Sequence, residues 1–167
     1  MKNDGKAIER MLEQINGGYL ALGEAKIEKV DPPVRVFNGR TIFMQNPFLD
    51  YTGTWRKDPD KPALPIHFEV KKLAENRMRI AAPSGAGISE KQFGNLDSWR
   101  NYGAVVFVLW YKDNAFRLLT FPMLRDALHR GEKSIKWDDA IGTDKGVGWI
   151  FWDYLKTVRL AMRRGLL

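Results

Sequence analysis

Eight apolar residues follow one another from Ala104 to Tyr111 (A-V-V-F-V-L-W-Y). The run is far short of the ~18 residues that a membrane span needs. Its density of β-branched and aromatic residues reads instead as a central strand, buried on both faces. The chain must therefore build a sheet around this segment and cover it.

The neighbours of that strand follow from local signals. Asp113-Asn114 turns the chain into another strand, Ala115 to Phe121. Ile66-His67-Phe68-Glu69-Val70-Lys71 alternates strictly, so His67, Glu69 and Lys71 share one strand face while Ile66, Phe68 and Val70 take the other. Val34 to Phe37 and Thr41 to Met44 flank Asn38-Gly39-Arg40, and Asn-Gly between β-rich runs predicts a hairpin. Further strands are expected from Leu49 to Trp55 and from Met78 to Ala82. Residues 56–62 and 83–87 read as a loop and a turn from their prolines, glycines and charges.

Helices are expected in four places. Ala7, Ile8, Met11, Leu12 and Ile15 recur at helical spacing until Gly17-Gly18, which is expected to end that helix. Ser89 is a suitable cap for a helix running to about Tyr102. Two more segments are expected near Pro122 to His129 and Trp152 to Arg164. Helices interleaved with strands define a mixed α/β class. The 167 residues carry no repeat or linker, so one domain spanning 1–167 is expected.

Lysine and arginine number 27 against 20 acidic residues, a net charge of +7. This balance favours a polyanionic partner, and nucleic acid is the commonest one. There is no cysteine, which excludes disulfides and thiolate metal sites. No signal-like apolar block opens the chain, so a cytoplasmic protein without membrane association is expected.

Phosphodiester hydrolysis needs an activated water and a neutralised anionic transition state. Hard divalent cations held by carboxylates serve both needs, and a nearby lysine adds positive charge. Asp50, followed by Glu69 and Lys71 two apart on one strand face, supplies such a set. By itself the E-x-K spacing is a weak signal, since exposed strands often carry Glu and Lys.

The segment Asn46-Pro47-Phe48-Leu49-Asp50-Tyr51-Thr52-Gly53, a loop, and then Ile66 to Lys71 resembles the core motif of the PD-(D/E)xK nuclease superfamily. More closely it resembles the RecU-like Holliday junction resolvases, which show D-Y-x-G and then a strand ending D-F-E-A-K. Gly5-Lys6-Ala7-Ile8-Glu9 resembles their N-terminal G-x-x-x-E segment. Asp31-Pro32-Pro33-Val34 resembles the proline-containing stretch before their hairpin. Lys91-Gln92-Phe93 followed by Gly103 to Val108 resembles their H-Q helix and apolar strand. The likeness spans most of residues 5–121. The chain departs from the pattern in a longer gap between Asp50 and Glu69, in Pro47, Phe48 and Leu49 where hydroxyl residues often stand, and in Lys91 where histidine precedes glutamine.

The resemblance implies a restriction-endonuclease-like mixed central sheet flanked by helices, with a protruding β-hairpin stalk. It implies a Mg²⁺-dependent endonuclease, with Mn²⁺ a substitute, that nicks four-way DNA junctions symmetrically as a homodimer and leaves 5′-phosphate and 3′-hydroxyl ends. Asp50 and Glu69 would bind the metal with the backbone carbonyl of Val70, and Glu9 would assist directly or through water. Lys71 would position water or stabilise the transition state, and Gln92 would orient water or phosphate. Arg35 and Arg40 on the stalk would meet phosphates, although the residues alone leave an ordinary charged surface hairpin equally open. The chain is compact for a bacterial member, which leaves a phage origin open.

The last helix places Lys156, Arg159 and Arg163 on one face with Arg164 beside them, a candidate phosphate-contacting surface. His67 reads as an exposed strand histidine. Trp99, Trp110, Trp137, Trp149 and Trp152 read as core or dimer contacts. Gly142 to Gly148 lacks the context of a nucleotide loop and reads as a turn. Two rival functions stand beside the junction resolvase: a related nuclease acting on linear, mismatched or flapped DNA, and an inactive DNA-binding architectural protein of the same fold.

Overall fold

A computed structural model describes residues 4–31, 34–43, 49–83, 86–146 and 152–167. The apolar run forms β8 (Val105–Lys112), and every residue from Val105 to Trp110 is buried. It lies inside a six-stranded sheet with β1 (Ala25–Lys29), β4 (Tyr51–Trp55), β5 (Leu64–Lys72), β9 (Ala115–Thr120) and β11 (Ile141–Gly142), in the order β1-β4-β5-β8-β9-β11. The β5–β8 pair is parallel and its neighbours are antiparallel, so the sheet is mixed as expected.

Two separate cores follow from the alternation of β5 and β8. Ile66, Phe68, Val105, Phe107 and Leu109 point to one side, where α1 (Asp4–Ala21) and α4 (Tyr154–Arg163) cover them with Ile8, Leu12, Ile15, Tyr19, Leu155 and Val158. Val106, Val108 and Trp110 point to the other side. There they meet Leu96 of α2 (Glu90–Asn101) and Phe121, Leu124 and Ala127 of α3 (Phe121–His129). A second sheet, β10-β6-β7, closes this side with Met78 and Ile80 of β6 (Arg77–Ala82), Ile88 of β7 (Gly87–Ser89) and Ile135 of β10 (Ser134–Lys136).

The hairpin is present as β2 (Val34–Phe37) and β3 (Arg40–Phe43), joined by Asn38 and Gly39 with φ of 49° and 71°. Positive φ at both turn residues suits the twist of a two-residue hairpin. Among the described residues the pair joins no other strand, and its side chains from Val34 to Ile42 are exposed.

Some expectations need correction. Helix α1 does not stop at Gly17-Gly18 but continues to Ala21, with Gly23 (φ 69°) in the turn beyond. Tyr19 explains the extra turn: it is fully buried, and its hydroxyl donates to Asp153 at 3.0 Å and accepts from the Leu155 N–H at 3.2 Å. That packing outweighs the ~1 kcal/mol that a mid-helix glycine costs. Strand β4 begins at Tyr51, while Leu49 is buried in the second core. Gly142 belongs to β11 and not to a turn. Strands β1, β7, β10 and β11 were not expected. The expectations for Pro32, Pro33, Met44, Asn46, Pro47, Phe48, Gly148 and Trp149 lie outside the described residues.

Candidate active site

The ladder between β4 and β5 ends at Tyr51 opposite Phe68, yet β5 continues to Lys72 beside β8. Asp50 stands just past that last rung. Its Oδ2 accepts the Val70 N–H at 2.9 Å, so the carboxylate satisfies a donor that a strand partner would otherwise take. The Asp50 carbonyl accepts the Val30 N–H at 2.8 Å, which fixes the residue from the other side. Within a strand, N–H and C=O of one residue point the same way, so the Val70 carbonyl also faces the end of the ladder.

Glu69 lies on the strand face that meets α2. Its side chain is 3% exposed, and its Oε1 receives the Lys71 ammonium at 2.9 Å. The Gln92 side-chain amide donates to the same oxygen. Gln92 is held in turn by a capping box, in which the Ser89 N–H donates to Gln92 Oε1 at 3.0 Å and the Gln92 N–H donates to Ser89 Oγ at 3.2 Å. Burial, then the charge of Asp50, push the Glu69 carboxyl up to about 7, while Lys71 pulls it back down.

Glu9 reaches the same region from α1. It lines a cavity of about 150 Å³ with Asp50, Tyr51, Val70, Lys29 and Lys72. Its Oε2 is 2.9 Å from the Lys29 ammonium, and this contact holds Lys29 above its usual value. Of the five residues expected at a reaction centre, Asp50, Glu69, Lys71 and Gln92 come together at one end of β5, while Glu9 shares a cavity with Asp50 on the α1 side of the sheet, opposite the face that carries Glu69. Lys29, Lys72 and Tyr51 join them and were not singled out from sequence. The buried Tyr51 hydroxyl has no hydrogen-bond partner among the described residues. Tyr51 sits beside Asp50 in the D-Y-x-G segment, a signal that could have found it; Lys29 carries none.

His67 is a correction. It is 5% exposed, stacks on Trp99 at 4.0 Å and 19°, and shares a 2.9 Å hydrogen bond between Nδ1 and Thr52 Oγ1. Burial holds its imidazole below the usual value.

Among the described residues, none of the other expected cations has an ion pair with Asp50, Glu69 or Glu9. Arg35 and Arg40 share one hairpin face with Phe37 and Ile42, by the pairings Arg35 with Ile42 and Phe37 with Arg40. On α4, Lys156 is 3.1 Å from Asp144, and Arg159 lies over the Trp55 ring at 5.6 Å. Arg163 and Arg164 are exposed. Trp55 ends β4 five residues from Asp50, roughly 15 Å along an extended chain.

A divalent cation fits the donors present. Asp50 and Glu69 are close enough that the charge of one raises the other, and both offer hard oxygen. Among the described residues no three His, Asp or Glu side chains gather into a complete cage. The donors are two carboxylates and a main-chain carbonyl, a set that suits an ion keeping several of its waters.

Two acids and a lysine stand together at the open end of a mixed sheet, the arrangement that the acid-acid-lysine motif leads one to expect. A family profile for recombination protein U (RecU) matches residues 3–148. The chain belongs to the RecU family, the Holliday junction resolvases whose motifs it resembles. No curated protein matches it in sequence. A solved structure of Hjc, a Holliday junction resolvase from Archaeoglobus fulgidus, is similar at 16% identity and a TM-score of 0.48, over 80% of this chain and 94% of that one.

Proposed function

We propose that this protein cuts four-way DNA junctions by hydrolysing one phosphodiester in each of two opposing strands, using a divalent cation at Asp50 and Glu69. The observation that carries this reading is the Asp50–Glu69–Lys71 constellation, closed by Gln92, in a RecU-family chain. Mg²⁺, with Mn²⁺ as a substitute, would neutralise the phosphate and promote ionisation of water. Asp50, Glu69 and the Val70 carbonyl would hold it, with Glu9 assisting through water.

The chain's own groups do the positioning. Lys71 and Gln92 both engage Glu69 Oε1, and the carboxyl also meets Asp50, so a cation would bind between the two acids and take the place of the proton they share. Lys71 places positive charge beside the scissile phosphate, where it stabilises the transition state or orients water. Asp50 is rigid because its carboxylate is bonded to the strand it serves.

The direct test uses purified protein with a labelled four-way junction and its component duplexes, with and without Mg²⁺. Symmetric nicks in the junction alone, dependent on Mg²⁺, support the proposal. Equal cutting of linear or flapped duplexes would favour the related-nuclease reading, and binding without nicking would favour an architectural protein.

A further inference from the structure

The net charge of +7 favours a polyanionic partner, and on α4 only Arg163 and Arg164 are both exposed and without a carboxylate partner among the described residues. Lys156 is paired with Asp144, and Arg159 is folded onto Trp55. The second sheet is different. Its inner face is the apolar row Met78, Ile80, Ile88 and Ile135. By alternation its outer face carries Arg77, Arg79, Ser134 and Lys136, and the three cations among them are exposed.

The antiparallel register sets Lys136 directly opposite Arg77, and Ser134 directly opposite Arg79. Like charges facing each other across two strands destabilise a sheet. No carboxylate lies within ion-pair distance of Arg77, Arg79 or Lys136 among the described residues, and nearby Glu132 is engaged by Arg130 at 2.8 Å. Arg77 is nevertheless held in place, since its Nε donates to Ser134 Oγ at 2.9 Å. That bond orders the guanidinium without neutralising it. Three exposed cations on one sheet face, one of them held by a side-chain bond, with Glu132 the carboxylate that feels Arg77 and Lys136, are complementary to a row of anions.

The position of the sheet matters as much as its charge. Four residues, Leu73 to Asn76, join the end of β5 to β6. On its other side, β7 runs straight into Ser89 and the helix whose Gln92 touches Glu69. The cationic face is therefore tied at two points to the acid pair.

We infer that the outer face of the β10-β6-β7 sheet binds the phosphate backbone of a DNA arm leading into the cleavage centre, with Arg77, Arg79 and Lys136 as its contacts. This rests on the reading of the protein as a DNA-cutting enzyme. Such contacts supply affinity and orientation, not sequence choice. They should serve the arms of a junction and a plain duplex alike.

The test compares full-length wild type with R77Q/R79Q/K136Q by fluorescence anisotropy on a labelled junction and on a duplex of equal arm length, over a range of NaCl, without divalent cation. The variant is expected to bind both DNAs about tenfold more weakly at 0.1 M salt, with the slope of log affinity against log salt reduced by about two to three. R79Q/K136Q, which keeps the Arg77–Ser134 bond, should fall between. K26Q/K57Q/K61Q, at the far end of the main sheet, should keep the wild-type slope. Unaltered slopes in both sheet variants, or a loss confined to the junction, would overturn the inference. A wild type that never nicks, but whose salt slope still collapses in the variants, would overturn the enzyme reading and leave this surface standing.

Discussion

Glu69 carries the tension of the site. Its folded value is raised to about 7, against an ordinary carboxylate value of about 4.5. The folded chain therefore binds more protons than the unfolded chain between those values, and the stabilisation this provides is lost as pH rises from about 4.5 through about 7. Glu69→Gln should raise the melting temperature of the metal-free protein at pH 8 by several degrees, since ~1 kcal/mol is worth about 2–4 °C in a chain of this size. The same substitution should erase the upward shift that Mg²⁺ gives the wild type. Thermal melts at pH 5.5 and 8, with EDTA or Mg²⁺, decide both points. Lys71→Ala should slow junction cutting by about 10²–10³ while leaving binding near wild type, measured in single-turnover assays beside anisotropy. Asp50→Ala should abolish cutting and also cost stability, because the Val70 N–H loses its acceptor.

At the level of elements, the hairpin and Gly53 make separate predictions. A Cβ at Gly53 would lie 2.1 Å from the Lys26 carbonyl oxygen, so β1 can approach β4 only because this position has no side chain. Gly53→Ala should cost ~2 kcal/mol or more by forcing β1 away, read as a lowered urea midpoint. Replacing residues 35–43 by a tight turn should reduce the preference for junction over duplex while the melting temperature holds. Competition binding with both DNAs measures that ratio. Strands β5, β8 and β9 were legible in the sequence because alternation or an unbroken apolar run marks them locally. Asp50, Glu69, Lys71 and Gln92 were legible because a motif carries them. Strands β1, β7, β10 and β11 were not, since each has five residues or fewer and is stabilised by pairing with distant segments. The burial of His67 was equally hidden, because it depends on Trp99, brought up by α2.

For the whole molecule, the proposed pair of cuts per junction, set against one acid pair among the described residues, predicts a homodimer. A two-fold dimer presents two equivalent centres to the approximate two-fold axis of a four-way junction. Sedimentation at micromolar concentration should give a species of twice the chain mass, and a chain that sediments as a monomer under cutting conditions would contradict this. No helix among the described residues is long and apolar enough to cross a membrane. The stack of Trp99 on His67 reaches beyond stability. An indole lying against an imidazole two residues from Glu69 is an optical reporter already installed at the site. Cation or DNA arriving there should change the emission of Trp99, so occupancy can be followed in real time with unlabelled protein as the difference between wild type and Trp99→Phe, which keeps the other five tryptophans.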